Sequence, residues 1–323
     1  MQKSFFLVLL GMMAFFGIGA QAVFAYEIQD LTNMEEKGDF VLGPGKIELW
    51  LTPGEKADKE LYITNRLGKT MDFKVHIEDF KGSRDPEQTT LLLGEEKGPY
   101  SLRDYLKPEI TEFTLKHGER MILPVEISIP EDAEPGGLYG TILISNNPPK
   151  SELETEKDTA KGQMRLISQI GTLVFVRVKG DVVEDGFLKE VKTGKIEKKF
   201  YEKGPVSFAM LFENNGNVHL NPYGMVEIFN VLGKKVDEVE IKPFFAMPDS
   251  LRLAEVKWDK GMLFGRYTAL VSINRGYQDI IDQKSVNFWV IPWKIVLAAL
   301  FGLFLIIWFF RWLIGRFELR RKK

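Results

Sequence analysis

Cysteine is absent from all 323 residues, and histidine occurs only three times, as His76, His117 and His219. Without thiols the chain has no disulfides and no thiolate metal sites, so each domain must be held by its core. The three histidines lack metal-ligand spacing, and no His-Glu-x-x-His is present. They read as ordinary surface or turn residues: His76 on the polar face of a strand, His117 in a turn, His219 in the Asn214–Pro222 loop. There is no Gly-x-Ser-x-Gly elbow. Gly43-Pro44-Gly45-Lys46 lacks the spacing of a phosphate loop and no helical pattern follows it. Charge of either sign is not in excess (43 Lys and Arg against 45 Asp and Glu), which argues against nucleic acid as a partner. No Asn-x-Ser/Thr sequon occurs. An exported chain without thiols or sequons fits a bacterial surface protein better than a disulfide-stapled animal receptor.

Long apolar runs occur at the two ends alone. Met1-Gln2-Lys3, the apolar run Phe5–Phe16 and small residues up to Ala25 have the form of a secretory signal, with cleavage expected after Ala25. The other end is apolar from Phe288 to Ile314 apart from Lys294 and Arg311, and closes in a basic tail. A bilayer-crossing helix needs about 20 apolar residues. Lys294 and Arg311 extend Ile295–Phe310 by laying their stems along hydrocarbon, and Trp289, Trp293, Trp308 and Trp312 sit where indoles favour the headgroup layer. Cations on one flank alone place the C-terminus in the cytoplasm.

Between the ends, period-two alternation recurs. It is visible at Phe73, Val75 and Ile77, at Leu123, Val125, Ile127 and Ile129, at Val226 and Ile228, and at Ala269, Val271 and Ile273. Leu173–Val178 is apolar on both faces. Turn signals separate these runs at Thr52-Pro53-Gly54-Glu55, Lys116-His117-Gly118-Glu119, Pro135-Gly136-Gly137, Asn214-Asn215-Gly216 and Leu232-Gly233-Lys234. One short helical turn is expected near Ser101–Leu106, capped by Ser101. The pattern predicts an all-β fold: two immunoglobulin-like β-sandwich domains plus one C-terminal transmembrane helix. The expected layout is a signal peptide at 1–25, a first sandwich at 26–180, a second at 181–288, a transmembrane helix at 289–314 and a basic cytoplasmic tail at 315–323. The halves share a strand ending in Asn, Asn65 and Asn214, and a late strand entered by glycine and tyrosine, at Tyr139 and Tyr267. Such a tyrosine is expected to bond back to upstream backbone.

Carboxylate neighbours Glu78-Asp79 and Glu131-Asp132 fit no calcium loop and read as solvated surface acids. Trp50, Tyr62, Phe73, Tyr139, Tyr223 and Tyr267 read mostly as core fillers, with some available to stack on sugar rings. No catalytic, cofactor-binding or metal-ligating residue is assigned, and the chain reads as a binding module rather than an enzyme. The long polar stretches Phe80–Tyr100 and Asn147–Lys161 are the expected binding loops.

Several runs carry a family likeness. They are Leu51-Thr52-Pro53-Gly54-Glu55 through Ile63-Thr64-Asn65, Tyr100–Leu106 followed by Phe113-Thr114-Leu115, Val125–Pro130, and Pro135-Gly136-Gly137-Leu138-Tyr139-Gly140-Thr141-Ile142. Together with the layout they resemble the WxL-interacting protein family of bacterial cell surfaces, over nearly all of the first domain and more weakly over the second. The resemblance implies a peptidoglycan-binding first domain and a second domain that contacts host or surface partners. The partners it suggests are cell-wall glycan or surface proteins, with the lipid bilayer engaged through the C-terminal helix. An assembly chaperone offering an edge strand to exported clients is the alternative. No Leu-Pro-x-Thr-Gly precedes the apolar segment, where Trp289-Val290-Ile291-Pro292-Trp293 stands, so retention in the membrane is expected.

Overall fold

A computed structural model describes residues 26–147, 167–194, 196–261 and 263–316. The expected leader at 1–25, the binding loop beyond Asn147 and the tail beyond Arg316 lie outside the described residues.

The first domain opens with β1 (Glu27–Asp30), β2 (Asp39–Gly43), β3 (Lys46–Leu51), β4 (Lys56–Arg66), β5 (Met71–Gly82) and β6 (Thr90–Leu92). After a 3₁₀ turn at Arg103–Tyr105 come β7 (Leu106–Pro108), β8 (Glu112–Leu115), β9 (Glu119–Ser128), β10 (Gly136–Asn147) and β11 (Gln169–Val178). One sheet runs β1-β9-β4-β2, with β7 also on β9; the other runs β3-β11-β10-β5-β6, with β8 on β5. Alternation explains the core: Leu61 and Ile63 of β4 and Met121, Leu123, Val125 and Ile127 of β9 are fully buried against Ile142, Ile144, Val174 and Val176 of the facing sheet. Gly43-Pro44-Gly45 is the crossing between sheets, because β2 pairs antiparallel with β4 whereas β3 pairs parallel with β11.

The second domain contains β12 (Gly186–Thr193), β13 (Phe200–Tyr201), β14 (Val206–Asn214), β15 (Tyr223–Asn230), β16 (Lys235–Ile241), β17 (Ser250–Trp258), β18 (Gly265–Asn274) and β19 (Ile281–Val290). Its sheets run β12-β14-β17 and β13-β19-β18-β15-β16. Here too an early strand switches sheets, since β13 pairs parallel with β19 as β3 does with β11. Both domains are immunoglobulin-like β-sandwiches. The two asparagines act alike. Asn65 Nδ2 donates to the carbonyls of Lys69 and Leu115, and its Oδ1 accepts from the Leu67 N–H. Asn214 Nδ2 donates to Val218 and Ala246, and its Oδ1 accepts from Gly216. Each side chain thus satisfies three backbone groups where a strand of the sandwich ends in a turn.

A single helix, α1 (Trp293–Arg316), closes the described chain. It is long and apolar enough to cross a membrane over Trp293–Ile314, and it is exposed along that length. The expected start at 289 is corrected: Trp289 and Val290 belong to β19, where Val290 is a buried core residue opposite Gly265 and Tyr201. Pairing at this last rung holds the chain in the sheet, and two residues, Ile291 and Pro292, separate strand from helix.

Candidate binding surface

The stretch Phe80–Tyr100 is not a free loop. Strand β5 continues to Gly82, β6 pairs with it, and the segment is tied to the second domain. The Leu251 N–H donates to Ser83 O at 2.9 Å, and Arg84 Nη1 lies 2.8 Å from Glu213 Oε1. Arg252 reaches Thr89, and Tyr100 Oη donates to Asp249 at 3.1 Å. Asp79 is likewise not a surface acid: it is buried, and its carboxylate accepts from the N–H groups of Gly98, Leu102 and Arg103. It therefore caps the 3₁₀ turn, whereas Ser101 Oγ has no hydrogen-bond partner. Glu78 is paired with His76 at 3.3 Å, and Glu131 and Asp132 stand on an exposed turn. Gly136 and Gly137 belong to β10 rather than to a turn.

His117 serves a turn, accepting from the Gly68 N–H and lying 2.9 Å from Met34 O. His219 departs from the surface reading altogether. On the outer face of the second sheet of domain one, Glu48, Phe175 and Tyr139 stand side by side in register, and Phe80 packs next to Tyr139. His219 docks onto this row, its ring 5.0 Å from that of Phe175 and 5.7 Å from that of Tyr139. Phe245 and Met247 of the second domain pack on the same cluster. The His219 backbone N–H donates to Tyr139 Oη at 2.7 Å, so this tyrosine bridges the domains instead of closing a corner of its own. Tyr267 does bond back upstream, to Phe264 O.

His219 Nε2 lies 2.8 Å from Glu48 Oε1, which also accepts from Asn221 Nδ2, while Lys46 Nζ is 2.6 Å from Glu48 Oε2. The His219 hydrogen bond is the main reason that the Glu48 carboxyl is held down at about 2, from 4.5. An ionised carboxylate only accepts, so Nε2 carries the proton. Nδ1 lies 3.3 Å from Tyr139 Oη. Burial pushes the Tyr139 hydroxyl far above its usual value, so it keeps its proton. Gly137 is required here, because a Cβ would overlap the Tyr139 hydroxyl. The sequence signal for this junction was the doubly apolar β11, whose outward Phe175 needed a cover.

With one sheet of domain one covered, the other is left free. Tyr62 is 39% exposed there, so it is not the core filler expected, and neither are Trp50 or Tyr223. Tyr62 stands between Gly43 of β2 and Ile122 of β9, and Glu60 lies opposite Pro124. A groove of about 620 Å³ runs past Tyr62, Asp58, Lys59, Glu60 and Pro124. Tyr62 Oη donates to Glu60 Oε2 at 2.6 Å, and this carboxylate raises the phenol above its usual value. The result is a neutral aromatic face beside two carboxylates and the Lys59 ammonium, which offers a stacking surface with charged hydrogen-bonding groups at its rim. Among the described residues, no group of three or more His, Asp or Glu side chains is placed to hold a metal ion.

No family model matches the chain, and no curated protein does. Solved structures show a loose likeness. The class 5 fimbriae chaperone CfaA is 9% identical, with a TM-score of 0.37 and coverage of 79% of this chain and 100% of that one. The E. coli chaperone DraB is 14% identical, with a TM-score of 0.34 and coverage of 77% and 98%. The CsuC-CsuE chaperone-tip adhesion subunit complex of Acinetobacter baumannii gives 9% identity, a TM-score of 0.35 and coverage of 77% and 98%.

Proposed function

We propose that this chain is a membrane-anchored bacterial surface protein, of the kind typified by WxL-interacting proteins, which holds wall glycan on the free sheet of its first domain. It is not an enzyme in this reading. The observation that carries it is the exposed Tyr62 groove with its flanking Asp58 and Glu60, on the sheet facing away from the second domain. The arrangement of the body supports it. A packed junction fixes the first domain on the second, and two residues join the second to an apolar helix suited to one membrane crossing. The groove is therefore carried at a set angle from the bilayer, its N-terminal side outward and the tail in the cytoplasm.

Strand donation to a client fits less well. The longer edge strands carry charge, at Lys189, Glu190 and Lys192 of β12, Lys235, Asp237, Glu238 and Glu240 of β16, Arg252, Glu255 and Lys257 of β17 and Lys46 and Glu48 of β3. Strands β1, β2, β6 and β13 have five residues or fewer, and charged or short edges resist strand addition. The test is sedimentation of the detergent-solubilised chain with isolated cell walls. Tyr62→Ala should lose most wall-bound protein at unchanged thermal stability, and Glu60→Gln part of it. Undiminished sedimentation of Tyr62→Ala refutes the groove; capture of an exported protein instead of wall favours the chaperone reading.

A further inference from the structure

The end of the second domain from which the helix leaves is built from loop tips that are apolar. Strand register assigns them to that end. Val290, the last rung before the helix, lies opposite Gly265 at the start of β18, and Asn230 at the end of β15 lies opposite Tyr267. Phe200 of β13 lies beside Trp289, and the Trp289 N–H donates to Lys199 O at 2.8 Å. The loops β12–β13, β15–β16 and β17–β18 therefore open around the helix. Their tips are Ile196, 87% exposed, Leu232, 86% exposed, and Phe264, 70% exposed. From β13 at one edge of the five-stranded sheet to β16 at the other, this end carries a large exposed apolar side chain on each of three loops, beside an apolar helix.

The helix supplies the depth. Leu263 and Phe264 share an apolar groove of about 550 Å³ with Ile295, Ala299, Leu300 and Leu303 of α1. From Ile295 to Leu303 the helix rises about 12 Å, well into the hydrocarbon once the helix spans. A loop walled by those residues lies at the same depth. Some cations nearby are paired, Lys294 with Glu202 at 2.9 Å, Lys260 with Asp237 at 3.2 Å and Lys199 with Glu197 at 3.4 Å, whereas Lys198, Lys203, Lys234 and Arg266 at the same end have no ion pair among the described residues. Insertion is driven by the apolar area, and these cations add attraction to anionic headgroups.

Resting on the membrane-anchored reading above, we infer that the second domain sits directly on the bilayer. Phe264, Leu232 and Ile196 enter the acyl region, and a lipid acyl chain fills the groove between the β17–β18 loop and α1. The domain is then a foot planted on the leaflet.

Because the chain has no cysteine, single environment-sensitive labels test this directly. The full chain carrying Phe264→Cys, Leu232→Cys or Ile196→Cys is labelled with a nitrobenzoxadiazole dye and reconstituted in phosphatidylcholine vesicles. Leu300→Cys reports the helix and Leu92→Cys, on β6, reports water. Blue-shifted emission quenched by doxyl lipids is expected at all three tips and at Leu300 in phosphatidylcholine alone. Lipid at Leu300 but water at the tips overturns the inference and leaves the membrane anchor intact. Water at Leu300 as well removes the anchor itself. Tip insertion only with phosphatidylglycerol overturns the apolar account. In a second variant set, Phe264→Asp with Leu232→Asp should move a label at Ile196 into water at unchanged unfolding temperature; a label that stays in lipid also refutes the inference.

Discussion

Removing a single oxygen should loosen the junction between the domains while leaving both cores intact. In Tyr139→Phe the ring still packs against Phe80, Phe175 and Tyr100, at centroid distances of 5.9, 5.7 and 6.0 Å. What disappears is the acceptor of the His219 N–H at 2.7 Å, in a residue that is 3% exposed. A buried donor left without a partner costs about 1–3 kcal/mol. That corresponds to about 5- to 150-fold faster exchange for amides protected by opening of the junction. Hydrogen exchange on the full chain reads it at the Gly137 N–H, bonded to Asn217 O, and at the Leu251 N–H, bonded to Ser83 O, both across the junction. Amides of the β4–β9 and β14–β17 pairings serve as the reference. Faster exchange at the junction with unchanged cores is expected. Unaltered protection at Gly137 and Leu251, or an equal loss in the cores, refutes the assignment of Tyr139 as the interdomain bridge.

The junction should also weaken in acid. Glu48 is held at about 2 against a usual 4.5, so its stabilisation is complete above 4.5 and is lost as pH falls toward 2. The unscreened shift amounts to about 3 kcal/mol, which solvent at this part-buried carboxylate reduces to about 1–2 kcal/mol. Junction protection, corrected for intrinsic exchange, should fall between pH 5 and pH 3 and do so less in Glu48→Gln; an equal fall in both removes Glu48 as the cause. Asn65→Ala and Asn214→Ala should each destabilise their own domain by about 2–4 kcal/mol in urea unfolding, by stranding three backbone groups. Asn→Asp at either site should not restore it, since a carboxylate has no donor for the two carbonyls; recovery by Asp would refute the bracket.

The build of each domain was legible along the chain. Alternating Leu123, Val125, Ile127 and Ile129 sort to one face whatever lies elsewhere, because side chains on a strand alternate by geometry. A run as apolar as Ile295–Phe310 is likewise determined by composition, and the matching asparagines 65 and 214 mark the same turn twice. Fold class, strand positions and the presence of one long apolar helix follow from such local rules. What local pattern does not contain is which face meets which. Asp79 and His219 read as surface residues because their partners, Leu102 and Arg103 in one case and Glu48 in the other, lie 23, 24 and 171 residues away. Tyr62 read as core because an aromatic on a strand is usually covered, and only the packing of the second domain on the opposite sheet decides that this one is not. The sequence determines how each segment bonds to itself; tertiary packing alone decides which polar groups are buried together and which aromatic rings remain in water.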